Sequence, residues 1–203
     1  MFKSNTVPFT LGAISRVLVA VLTLLLAIAG AAHAQKLSYA DTASDVYVFN
    51  PDDTTTLVGD VVNTDVRSVR IDHRDQVLKA KFRHTDLAKT GVGFAELLHV
   101  LSSDGRRFNV FVSAGKSAWH GTAALETSSG KKLKCASLHH SIDYDANTVE
   151  VSMGTDCLNE PRWVRVALEA FSIQAEDDLL YIDDAQHADI PKQGTWSSKI
   201  RRG

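Results

Sequence analysis

Three stretches of this chain alternate apolar and polar residues with a period of two, and that alternation restricts its fold more than any other feature. In Val77–His84, Leu78, Ala80 and Phe82 fall on one side while Lys79, Lys81 and Arg83 fall on the other. Arg107–Val112 repeats the pattern with Phe108, Val110 and Val112, and Val164–Phe171 repeats it with Val164, Val166, Leu168 and Ala170. A β-strand turns successive side chains to opposite faces, so each stretch predicts a strand buried on one side and wetted on the other. Shorter runs at Tyr47–Phe49, Leu57–Val62, Val66–Ile71, Leu138–Tyr144, Val149–Met153 and Leu179–Ile182 fit between them. Phe94–Leu101 has helix-favouring Ala, Glu and Leu, but its length and the Asp104-Gly105 turn that follows favour a strand. Asp52-Asp53, Ser129-Gly130 and Asp145-Ala146-Asn147 supply further hairpin chemistry. The reading is an all-β chain: an antiparallel β-sandwich, jelly-roll or immunoglobulin-like, of about nine or ten strands. The one helical turn expected is Asp156–Glu160, ahead of Pro161.

The N-terminus is built differently. Lys3 and Arg16 precede the uncharged run Val17–Ala29, and Ala32-His33-Ala34 supplies an A-x-A end. These are the parts of a cleaved signal peptide over 1–34, leaving 35–203 as a single β-sandwich domain. An uncleaved anchor is the rival reading, and Arg16 keeps the apolar run short of the roughly 20 residues a membrane span requires. No later segment approaches that length, so no membrane span is expected after cleavage and the product is expected to be secreted, an extracellular protein. Among 203 residues, 44% are hydrophobic and 23% charged, the proportions of an ordinary folded domain. The net charge of −2 argues against a nucleic-acid partner.

Cys135 and Cys157 are the two cysteines. In an oxidising compartment an even count reads as a disulfide; a reactive thiol or a metal pair is the alternative, with no C-x-x-C spacing behind it. Catalytic signatures such as G-x-S-x-G, H-E-x-x-H and the phosphate-binding loops are absent from the sequence. His139 and His140 are adjacent on an expected strand and therefore face opposite ways, which separates them as ligands; His120 and His140 remain the histidines of interest. Asp41 and Asp45 stand at the start of the Tyr47 strand, with Asp52, Asp53 and Asp60 after it, and Asp183-Asp184 closes the Leu179 strand. If those two strands are neighbours, Asp41, Asp45 and Asp183 or Asp184 meet at one end and offer carboxylates to a structural calcium. Aspartate as a plain turn former is the competing reading. Trp119, Trp163, Trp196, Tyr39 and Tyr144 are aromatics that could stack a flat ligand such as a sugar face, with Trp119, Trp163 and Tyr144 foremost and packing at a sheet rim as the alternative.

The stretch from Trp119-His120-Gly121 through Cys135, Leu138, His140, Ile142-Asp143-Tyr144, Val149, Cys157-Leu158 and Pro161–Val166 to Asp183-Asp184-Ala185 resembles a group of secreted actinobacterial β-sandwich proteins. That group also begins with a D-x-x-x-D segment like Asp41–Asp45 and often ends in a basic tail like Lys199–Arg202; the resemblance implies no activity. More distantly, the order of elements looks like the DOMON-like and carbohydrate-binding family 9-like modules. Those bind sugars or haem, and some hold calcium near an acidic N-terminal segment, which Asp41 and Asp45 match loosely. Haem is disfavoured, since Met153 is the one methionine besides Met1 and no Met/His pair can be assigned. The leading expectation is a non-catalytic module that binds a glycan, a small ligand or a cell-envelope component. An extracellular hydrolase with loop-borne Asp, Glu and His, and a calcium-stabilised structural protein, are the alternatives.

Overall fold

A computed structural model describes residues 35–187 and 195–203, so the expected leader lies outside the described residues. The strands are β1 (Gln35–Ala40), β2 (Val46–Phe49), β3 (Thr55–Gly59), β4 (Val66–His73), β5 (Val77–His84), β6 (Gly93–Ser102) and β7 (Arg107–Gly115). They continue with β8 (Ala118–Thr127), β9 (Lys132–Leu133), β10 (His139–Asp143), β11 (Thr148–Gly154), β12 (Trp163–Ile173), β13 (Leu180–Asp184) and β14 (Ile200–Arg201). The expected helical turn is a 3-10 turn at Thr155–Leu158. Two antiparallel sheets form the all-β sandwich that the alternation predicts. One has the order β1-β4-β5-β11-β10; the other runs β3-β2-β13-β12-β6-β7-β8-β9, with β14 on the edge of β12.

The apolar rows named from the sequence are the facing surfaces. Ile71, Leu78, Phe82 and Met153 come from the five-stranded sheet and Leu98, Val110, Leu125 and Leu168 from the other, all at most 2% exposed. They belong to one contiguous core. Each such side chain contributes roughly 1.5–3 kcal/mol through burial. Phe94–Leu101 lies wholly within β6 and alternates in burial except at Leu97, which is buried along with its neighbours Glu96 and Leu98.

Four strands escape the sequence pattern: the two-residue β9 and β14, and the longer β1 and β8. β1 (QKLSYA) is an edge strand whose residues are all exposed or half-buried, so no strong apolar row marks it. In β8, Ala and Thr blur the alternation and only Gly121 and Leu125 are buried. Gly121 adopts φ 83°, and a Cβ there would come within 2.6 Å of Ile142 Cδ1. A glycine that looks like a strand breaker is therefore required where β8 meets β10.

Cys135 and Cys157 form a disulfide with Cα atoms 5.5 Å apart. It ties the segment after β9 to the 3-10 turn, and Ser137 Oγ accepts from the Gly154 amide at 2.9 Å beside it. Closing this loop stabilises the fold by roughly 3 kcal/mol in the chain-entropy treatment. Native protein is expected to give no reaction with a thiol reagent, and denaturation with reductant to release two thiols per chain. A free thiol in the native state would contradict the bridge.

Candidate functional site

The chain passes from the five-stranded sheet to the nine-stranded one between β1 and β2. Asp41 follows the first strand and Asp45 precedes the second. Ser44, at φ 66°, makes the reversal that places the two close together. β2 pairs antiparallel with β13, Tyr47 opposite Ile182, which brings Asp183 to the same end. One oxygen from each of Asp41, Asp45 and Asp183 lies within 4.8 Å of the others.

Neighbouring hydrogen bonds hold these carboxylates and leave oxygens over. Thr42 N donates to Asp41 Oδ1 at 2.9 Å, and Val66 N donates to Asp183 Oδ2 at 2.7 Å. Asp41 Oδ2, Asp183 Oδ1 and both oxygens of Asp45 are buried without a hydrogen-bond partner. Asp183 is fully buried and Asp45 only 6% exposed. Asp65 stands beside them, its Oδ2 accepting from Thr85 Oγ1 at 2.9 Å and its Oδ1 also orphaned. Burial, reinforced by the charges of Asp41, Asp45 and Asp65, pushes Asp183 up to about 9. Burial and the Asp45 charge push Asp41 up to about 8; burial, then Asp65 and Asp184, push Asp45 up to about 6. Among the described residues no basic side chain bonds to these three. Buried carboxylates without partners are costly, and orphaned hard oxygens converging on one point are the donor set that calcium takes, completed by carbonyls and water. The residues present fit that ion.

Asp184 goes elsewhere. Successive residues of β13 face opposite ways, so Asp183 points between the sheets while Asp184, paired with Glu169, faces outward. Asp184 Oδ1 accepts from Gln186 N at 3.1 Å and lies 3.2 Å from His187 Nδ1. The adjacency that makes Asp183-Asp184 conspicuous in the sequence is what divides the pair between two faces. Asp60 bonds Ser44 Oγ at the exposed rim.

The three foremost aromatic candidates, Trp119, Trp163 and Tyr144, do not share one platform. Tyr144 Oη donates to the Trp119 carbonyl at 2.7 Å, and both side chains pack partly against the core. Lys89 lies over the Tyr144 ring, 5.1 Å from its centre. Trp163 sits on β12 opposite Arg201, its ring covered by Lys199 Nζ at 4.4 Å. His140 Nε2 is 3.2 Å from the His120 carbonyl, while His139 faces outward on β10.

A cleft that single-residue reading passes over lies on the outer face of the nine-stranded sheet. β13 and β14 both pair with β12 and leave a gap between them. Ser197 fills it: its amide donates to Val166 O at 2.8 Å, and Val166 N donates to Ser197 Oγ at 2.9 Å. Trp196 is thereby laid beside His99, ring centres 6.5 Å apart. His99 Nδ1 is 2.8 Å from Asn109 Oδ1, and its Nε2 is 3.6 Å from Glu169 Oε2. The Glu169 carboxylate raises the His99 pKa against the opposing effect of burial, and Asn109 adds to the rise. Trp196 stands among the aromatics that the sequence offers for stacking, whereas His99, Asn109 and Glu169 are marked in the sequence by no more than their outward register on β6, β7 and β12.

His99 is expected to titrate above its ordinary 6.5 by imidazole NMR, and the Glu169→Gln protein to bring that midpoint back down. The stabilisation from the pair is fully present below the ordinary value and is lost as pH rises through the raised one. An unchanged midpoint in Glu169→Gln would contradict the pairing.

No family model, curated protein or solved structure matches the chain. No helix among the described residues is long and apolar enough to cross a membrane.

Proposed function

We propose that this protein is a calcium-stabilised β-sandwich module working outside the cytoplasm, with Asp41, Asp45 and Asp183 as the protein ligands of the ion. The observation that carries the reading is the set of buried, unpartnered carboxylate oxygens at the junction of the two sheets. Such a group is a poor choice for stability alone, because like charges are gathered where water cannot screen them. A divalent cation reverses the sign of that interaction. It also ties the β1–β2 crossover to β13, joining the two sheets at one end. A disulfide in the same domain suits an oxidising compartment, and the sequence of 1–34 suits export.

Thermal unfolding with added calcium, against the same protein in chelator, tests the reading. A higher melting temperature in calcium supports it, and magnesium is expected to do less because it demands tighter octahedral geometry and sheds water reluctantly. Coincident curves in calcium and chelator would overturn it.

A further inference from the structure

The outer face of the nine-stranded sheet holds a second group of polar side chains, apart from the three aspartates. Around Trp196 and His99 the surface closes into a cleft of about 400 Å³ lined also by Arg107, Asn109, Glu169 and Asp184. This volume is within the range of small-molecule sites, roughly 300–1,000 Å³. The Arg107 guanidinium lies 5.8 Å from the centre of the Trp196 ring, so the aromatic wall is braced on one side by a cation and on another by the edge of His99.

We propose that this cleft binds a neutral polyhydroxylated ring, a pyranose-sized ligand, with Trp196 as its apolar wall and His99, Arg107, Asn109, Glu169 and Asp184 as its polar partners. The chemistry follows from what converges there. Glu169 and Asp184 are acceptors; Arg107 and the Asn109 amide are donors; His99 is held between an amide and a carboxylate. A ligand with hydroxyls around its rim donates and accepts at each position, and its C–H face packs on an indole. Charge narrows the choice. Two carboxylates repel an anionic ligand and two basic side chains repel a cationic one, so a neutral molecule is favoured. Its polar partners stand on β6, β7, β12 and β13, rigid strands rather than loops, which lowers the cost of holding them in place. This inference goes beyond the cation reading and does not depend on it.

The test is a titration of the full folded protein with methyl glucopyranoside, maltose and cellobiose, followed by NMR of the tryptophan indole N–H groups and the His99 ring. Glucuronate and glucosamine serve as charged controls. At least one neutral sugar is expected to shift the Trp196 and His99 signals saturably while leaving Trp163 in place. Trp196→Ala is expected to weaken that binding at least tenfold. Glu169→Gln, which preserves shape, is expected to weaken it severalfold and keeps the test usable if the tryptophan variant fails to fold. No shift from any neutral sugar up to tens of millimolar, binding of a charged control alone, or binding unchanged in both variants would each overturn the proposal. Repeating the titration in chelator separates it from the calcium reading: sugar shifts with no calcium effect on melting leave this cleft standing by itself, and the converse removes the cleft alone.

Discussion

Replacing Glu96 with leucine is expected to lower the stability of the sandwich by about 1–3 kcal/mol, the cost of leaving the buried His84 ring without the polar group that faces it. His84 on β5 and Glu96 on β6 belong to different sheets. Their side chains are 0% and 1% exposed, and His84 Nε2 lies 2.9 Å from Glu96 Oε1. None of the four polar atoms, His84 Nδ1 and Nε2 and Glu96 Oε1 and Oε2, has a hydrogen-bond partner, so neither group has a substitute for the other's close approach. The neighbouring ring of Phe94 packs edge-on to His84, 6.5 Å between centres, and offers no polar relief. For a domain of this size the loss corresponds to a fall in melting temperature of roughly 2–12 °C. His84→Phe is expected to behave similarly, stranding the carboxylate instead. The double variant His84→Phe/Glu96→Leu is expected to be more stable than either single one, because two apolar groups of suitable size replace both desolvated ones. Denaturant unfolding of the four proteins measures this, and additive losses in the double variant would show that the pair is not the cause.

Calcium is expected to have the second large effect. At 100 to 1,000 times its dissociation constant, a ligand of the native state alone adds about 2.7 to 4.1 kcal/mol, or roughly 5–15 °C in melting temperature for a domain of this size. Asp183→Asn isolates the cause. The amide keeps an oxygen to accept from Val66 N and removes the charge from the most deeply buried of the three carboxyls. In chelator this variant is expected to melt within a few degrees of the native protein or above it, and in calcium to show little or no rise. A site that merely tolerates its acids would give the opposite order. The pH dependence has a definite sign. Folded-state values raised to about 9 for Asp183 and about 8 for Asp41 mean that the folded protein holds protons which the unfolded chain has released. Stability in chelator therefore falls as pH rises from near 4 towards 9, by about 1.4 kcal/mol per pH unit for each excess proton. Calcium displaces those protons, so the rise it produces is expected to grow with pH over the same window. A calcium effect larger at pH 5 than at pH 8 would contradict the carboxylate site.

Much of the architecture was legible from periodicity. Val77–His84, Arg107–Val112 and Val164–Phe171 became β5, part of β7 and most of β12, with the same residues inward, because a pleated strand has no other way to bury Phe82, Val110 and Leu168 together. The edge strand β1 and the glycine-containing β8 were illegible for the converse reason: their partners, not their own apolar residues, hold them in place.

Two cysteines in an oxidising compartment made the disulfide the expected pairing, whereas Asp183 and Asp184 stood as equal candidates until the register of β13 separated them. What the linear order left open was which distant groups meet. Asp41 and Asp45 reach Asp183 only because β2 lies beside β13, some 130 positions later in the chain by count of residues between them. His99, Asn109, Glu169 and Trp196 become one cleft only because β6 is flanked by β7 and β12, and Ser197 seals the gap along the latter. A two-residue repeat tells each strand which face to bury. The lateral order of strands is set by packing between remote segments, and no short stretch of sequence encodes it.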